Sequence, residues 1–314
     1  MTTEPTGEPP RTSARRGVIH DIGYRPFTGR RQSTSAVALS LYLTSLRHCF
    51  GIGRSGKSKV MPWLMTFVLL IPALVLAGLL LQLNKMSLSD QADLFAPLAN
   101  YFGFPYWTQL LITIFAAAQA PVLFARDLRY RTVVLYFARP LSRTTYVLMR
   151  LAALATALFA VVVIPLTIWY GAALSADVDR GEHTKNYLAA VVGVAVLALM
   201  LATFSGMVSA ITTRSGLAVT AVIVALMLTS GIVKAVQGAA YDGDHRTMSF
   251  IGALLNPFSV ASELISGLFD QPTPDSTVLH PGPGWTIGFA VAAVVWTLGA
   301  TAILLERTRK AASL

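Results

Sequence analysis

Six stretches of this sequence are long, apolar and nearly free of charge: Val60 to Leu83, Pro105 to Ala125, Leu151 to Ala173, Tyr187 to Ile211, Gly216 to Val233 and Trp285 to Leu305. A helix needs roughly 20 such residues to cross about 30 Å of hydrocarbon at 1.5 Å per residue. Each stretch approaches or exceeds that length, so an all-α polytopic membrane protein with six spans is expected. Only 13% of the residues are charged, about half the share usual in soluble domains. A seventh apolar stretch, Met248 to Phe269, is interrupted by Asn256, Pro257 and Glu263. It is read as a broken re-entrant helical pair between spans 5 and 6. Glu263 is expected at the interface rather than buried.

The basic residues set the topology. Of the 25 Lys and Arg, 20 fall in residues 1–59, in Arg126 to Arg150, in the turn Thr212 to Ser215 and after Leu305. The remaining five share the other side with 10 of the 15 acids. The positive-inside rule therefore predicts both termini in the cytoplasm. The net charge of +10 follows from that asymmetry against an anionic inner leaflet, and calls for no nucleic acid. About 59 mostly polar residues precede the first apolar run, so no cleavable signal peptide is expected. The single cysteine, Cys49, is read as an apolar filler.

The organisation that follows is a cytoplasmic tail over 1–35, an amphipathic elbow helix and basic linker over 36–59, a six-helix membrane domain over 60–305 and a short cytoplasmic tail over 306–314. Within the elbow, Leu39, Leu43, Leu46 and Phe50 form one stripe at helical spacing, suited to the membrane interface. The linker reads "GIGRSGKS" (51–58), which satisfies the pattern of a nucleotide-binding P-loop. A P-loop needs a buried strand before it and a helix after it. Here a helical pattern precedes it, Pro62 follows, and no strand–helix–strand pattern appears. The segment is read instead as a glycine-rich elbow whose Arg54, Lys57 and Lys59 lie against lipid phosphates.

Between the second and third stretches lies "ARDLRYRTVVLYFARPLSRTTYVLMR" (125–150), longer than a hairpin needs. It interleaves apolar and basic residues, which predicts a short cytoplasmic helix with a docking surface, and Ser142 is placed to cap the helix that follows. The five histidines, His20, His48, His183, His245 and His280, all lie outside the spans, and no acid pair or Cys motif lies inside them. Metal ligation, acid–base catalysis and a proton relay therefore lack residues. Gln109, Thr113, Gln119, Thr203, Ser209 and Thr229 are candidates to line a translocation path, with hydrogen bonding between or within helices as the alternative for each. Ala202, Gly206 and Ala210 form a small-residue stripe for close helix packing. Lys234 is expected to snorkel from the outer end of span 5.

With these features over residues 18–310 the chain resembles the permease subunit of type 2 ABC transporters, the ABC-2 or type V exporter fold. "IHDIGYRPFTGRR" (19–31), "RHCFGIGRSGKSKVMP" (47–62) and "LYFARPLSR" (135–143) look like stretches of actinobacterial members. The resemblance implies that the segment leading into "RPLSR" is a coupling helix seated in a cleft of a separate ATPase. It makes Asp127, Leu128, Thr132, Leu135 and Tyr136 the ATPase contacts, with Arg139 and Arg143 beside them and Arg131 standing where many relatives have Gly. It further implies two permease chains, most simply a homodimer, working with two ATPase chains that hold ATP and Mg. This chain itself would carry no cofactor, metal or catalytic residue, and would sit in a bacterial plasma membrane. The expected function is ATP-driven export of an amphipathic small molecule or lipid; a membrane scaffold that recruits an ATPase without transport is the alternative.

Overall fold

The computed structural model describes residues 32–85, 100–130, 132, 136, 141–176, 179–212, 214–243, 245–274 and 280–312. The N-terminal tail, the "HDIGYR" segment, Arg131, Leu135 and Arg139 lie outside the described residues. From Thr34 onward the described residues form one helical unit with no strand among them. Its helices are α1 (Thr34–Cys49), α2 (Lys57–Lys85), α3 (Gly103–Trp107), α4 (Gln109–Leu123), α5 (Ala125–Arg129), α6 (Arg143–Leu174), α7 (Arg180–Thr212), α8 (Ser215–Asp242), α9 (Arg246–Ala253), α10 (Pro257–Phe269) and α11 (Pro283–Ala312).

Six of these elements are long and apolar enough to cross a membrane: α2, α4 running on through α5, α6, α7, α8 and α11. The second span is built in pieces. Alone, the 15 residues of α4 would rise only about 22 Å. At its start the Thr108 hydroxyl and amide both donate to the Phe104 carbonyl, so α3 leads into α4 with little interruption. At its end the Phe124 and Leu128 amides carry the bonding into α5.

Helix ends follow local chemistry. Ser142 Oγ accepts from the Thr145 amide at 3.0 Å and starts α6, eight residues before the apolar run. Helix α1 ends in a Schellman arrangement: Ile52 N donates to Arg47 O, Gly51 N donates to His48 O, and Gly51 sits at φ 70°. Only glycine takes that conformation at little cost. A Cβ at Gly51 would also lie 2.5 Å from the Ser58 carbonyl oxygen. The first glycine of "GIGRSGKS" thus closes one helix before Lys57 opens the next, with a helix where a P-loop requires a strand. Pro62 is the sixth residue of α2 rather than part of its first turn.

Helix α7 is the centre of the bundle, packed against α4, α6, α8, α10 and α11. Its small residues permit that. A Cβ on Gly193 would overlap the Phe102 ring and Ile265, and one on Gly206 would press on Phe124 and Leu151. In its most apolar window 61% of α7 is buried, against 17% of α2, 28% of α8 and 22% of α11. The last three therefore face outward with bare apolar surface, as lipid contact requires.

Helix α1 packs along α6, where Tyr42 Oη donates to Thr156 Oγ1 at 3.1 Å. Its inward face is Ala38, Leu41, Ser45 and Cys49, while Leu39 and Leu43 of the predicted stripe stay exposed.

Candidate functional site

The densest polar arrangement lies at the basic end of the bundle, where α5 meets the start of α6. Tyr146 and Arg150 stand four residues apart on α6 and share a face. Arg150 pairs with Asp127 of α5, and its other terminal nitrogen donates to the Leu123 carbonyl at 2.6 Å. Tyr146 Oη donates to Asp127 Oδ2 at 2.7 Å, and Thr132 Oγ1 donates to Asp127 Oδ1 at 3.1 Å. The guanidinium lies 4.8 Å from the Tyr146 ring and 5.5 Å from the Tyr136 ring, and also donates to Tyr136 Oη at 3.2 Å. Arg150 is 5% exposed, so this is a desolvated ion pair. Its geometry must be kept, because a buried charge without its partner is costly.

Of the residues nominated for ATPase contact, Asp127, Thr132 and Tyr136 therefore turn toward Arg150 and spend their polar atoms inside the chain. Leu128 packs half-buried against the main core. The outward surface of α5 is Arg126, Arg129 and Tyr130, with the Arg129 guanidinium 5.6 Å from the Tyr130 ring. Arg143 is exposed on the first turn of α6. The sequence reading missed Arg150 and Tyr146. The available signal was Arg143, Tyr146 and Arg150 at i, i+3 and i+7, one helical face entering an apolar run.

Beside this network lies the elbow. Half-buried His48 is held below its ordinary pKa, first by burial and then by the charges of Arg150 and Arg54. Cys49 is fully buried, and burial pushes its thiol up to about 12, so it is inert at neutral pH. Arg54 is partly buried while Lys57 and Lys59 are exposed.

The nominated path residues do not converge. Thr203 Oγ1 donates to the Leu199 carbonyl, Ser209 Oγ to Ser205 O and Thr229 Oγ1 to Ala225 O, the i−4 bonding weighed as the alternative. Gln109 accepts from Ser230 Oγ at 2.9 Å and so joins α4 to α8. Gln119 and Thr113 are buried, and Thr113 Oγ1 has no hydrogen-bond partner among the described residues. The gap between α4, α6 and α7 is apolar and too narrow for water, lined by residues such as Ile112, Leu158, Val194 and Leu201. An open groove of about 800 Å³ between α8 and α9, lined by Val236, His245, Arg246, Met248, Ile251 and Leu255, includes none of the nominated residues.

At the opposite end Tyr101, Trp169, Tyr170, His183 and Tyr187 form one aromatic cluster. The Tyr170 and Tyr187 rings stack at 4.3 Å, the Tyr101 and Trp169 rings are 4.5 Å apart, and Tyr101 Oη bonds His183 Nδ1 at 3.0 Å. Helix α8 continues nine residues past Val233. Lys234 therefore sits within the helix, exposed, its amine over the Tyr106 and Trp107 rings at 5.1 and 5.6 Å, a cation–π arrangement.

The break between α9 and α10 is fully engaged. Asn256 Oδ1 caps α10 by accepting from Phe258 N at 2.8 Å, while Nδ2 donates to Leu226 O and Thr229 Oγ1 of α8. Trp296 Nε1 of α11 donates to Leu254 O at 3.1 Å. Helix α10 is enclosed from Pro257 through Ser266. Glu263, expected at an interface, is instead 2% exposed, and its Oε2 has no hydrogen-bond partner among the described residues. Burial alone pushes its carboxyl up to about 8.

Among the described residues no group of three or more His, Cys, Asp or Glu could hold a metal ion. The chain matches no protein-family model and no curated protein.

Proposed function

We propose that this chain is the permease subunit of an ATP-driven exporter, paired with a second permease chain and with two copies of a separate ATPase in a bacterial plasma membrane. The observation that carries this reading is the fixing of α5 onto α6 by the Asp127–Arg150 pair. A short helix that must pass a movement from one protein to a membrane bundle has to be rigidly joined to a span. Here the joint is buried, while Arg126, Arg129 and Tyr130 face outward to meet a partner. Asp127, Thr132 and Tyr136 then act as the anchor of the coupling segment, and the ATPase contact falls to the outward face.

Six spanning-length helices and a broken pair before the last of them support the same reading, with α9 and α10 closing the outer end of the path. Since the nominated polar residues do not enclose a channel within one chain, the path runs between the two permease chains. Bare apolar surface on α2, α8 and α11 suits an amphipathic small molecule or lipid as cargo.

The test is reconstitution. With its cognate ATPase, the chain in proteoliposomes should give ATP turnover and flux, and the double variant Arg129→Glu, Tyr130→Ala should lose assembly or stimulation by more than tenfold. Normal assembly and turnover in that variant would refute the coupling surface. Turnover without flux of any amphiphile would favour a scaffold that recruits the ATPase.

A further inference from the structure

The buried carboxyl of α10 has no use in the coupling scheme, yet among the described residues Glu263 is the acid most fully enclosed by the packed helices. At about 100° per residue, Ser259, Ser262, Glu263 and Ser266 fall within one 100° sector of α10, and all four are buried. The remaining faces are apolar. Val260 and Leu264 pack on Met200 of α7 and on Phe289 and Ala293 of α11, while Phe258, Ala261 and Ile265 join the main core.

Among the described residues no charged group perturbs Glu263 from the elements around it. The charged groups of α7 are Arg180, Glu182, His183 and Lys185 in its first turns. Those of α11 are Glu306, Arg307, Arg309 and Lys310 in its last turns, α9 offers Arg246 and α3 none. On α8, Asp242 ends the helix and Lys234 sits over the Tyr106 and Trp107 rings. None of them moves the Glu263 equilibrium, for which burial is the sole cause. Ser266 gives its hydroxyl hydrogen to the Gln271 carbonyl at 2.7 Å, so it is not a donor to the acid. An ionised carboxylate with an enclosed, unpartnered oxygen is strongly disfavoured, so the neutral acid is the favoured form while α10 stays enclosed.

We propose that Glu263 is a proton-binding site: it holds a proton while α10 is enclosed, and gives that proton to water whenever the bundle rearranges to expose α10. The O–H bond breaks with its electron pair left on the carboxylate, and water takes the proton, so no other reactant is required. Opening of the α9–α10 pair is then favoured by high pH and opposed by low pH. This holds whether or not the chain transports anything.

Infrared spectroscopy of the full chain in lipid nanodiscs, titrated from about pH 5 to 10, tests it. The chain has five glutamates; Glu182 and Glu306 are exposed, and the hydrogen bond and charge of Lys310 hold the Glu306 carboxyl below its ordinary value. With ¹³C-labelled glutamate, a protonated-carboxyl band that shifts with the label should persist at pH 7, fall as the pH is raised further, and vanish in Glu263→Gln. The wild-type labelling arm stands even if that variant fails to fold. A wild type without the labelled band at pH 7, or a folded Glu263→Gln that keeps it, would overturn the proposal.

Discussion

Arg150 illustrates how one residue can fix the relation between two elements. It neutralises Asp127, caps the carbonyl end of α4 at Leu123 and stacks against two tyrosines. Removing one partner of a buried pair leaves the other charge uncompensated, so Arg150→Met should destabilise the protein by about 3–5 kcal/mol. The double variant Asp127→Leu, Arg150→Met should recover much of that loss. Denaturant unfolding in detergent, followed by tryptophan fluorescence, measures both; equal loss in single and double variants would mean that the pair is not the source. His48 supplies a pH test with a definite sign. Its folded-state pKa lies below the ordinary 6.5, so below that value the unfolded chain binds more protons and stability falls as pH drops, while above it the effect is absent. His48→Gln should remove that acid-side loss in melting experiments. Glu263 acts in the opposite direction, its raised value costing stability as pH climbs from about 4.5 to about 8.

At the scale of elements, close approach depends on a few small residues. A Cβ on Gly267 would come within 2.0 Å of Thr286 Oγ1, so α10 can dock on α11 only through glycine at that point. Gly267→Val should cost roughly 1–3 kcal/mol by overpacking, and Thr286→Ala in the same chain should return part of it. Much of this element scale was readable. Apolar runs of about 20 residues announce spans, Asn256–Pro257 announces a helix start because Pro lacks an N–H and Asn caps, and Ser142 does the same for α6. Other boundaries were not. Helix α8 runs through Lys234 and Gln237 to Asp242 because Tyr106 and Trp107 receive the lysine and Gln237 is buried; the hydropathy pattern ends at Val233. Of the stripe predicted on α1, Leu46 and Phe50 pack against the core while Leu39 and Leu43 stay exposed, and the inward face is completed by Ala38, Leu41, Ser45 and Cys49. Periodicity reports that a helix has an apolar side, not whether that side meets lipid or protein.

For the whole molecule, the distribution of basic residues makes the testable claim. Cys49 is the only cysteine and is buried, so Cys49→Ala provides a background without thiols. In that background, Arg309→Cys should resist a membrane-impermeant maleimide applied to intact cells, and His280→Cys should be labelled; both positions are exposed in the fold. Reversed labelling would place the termini outside.

Composition and the spacing of apolar runs determined by themselves that the chain is helical and has six segments able to cross a membrane, since backbone groups in hydrocarbon can be satisfied only within helices or closed barrels. They also determined where α6 begins, because the Ser142 cap acts over three residues. Only the tertiary structure decided that Asp127 and Arg150, 23 positions apart, neutralise each other, that Thr203, Ser209 and Thr229 are spent on helix bonding, and that Glu263 is enclosed. Those outcomes depend on which faces of distant helices meet. That is fixed by steric fit at residues such as Gly193, Gly206 and Gly267, a property no local window of sequence contains.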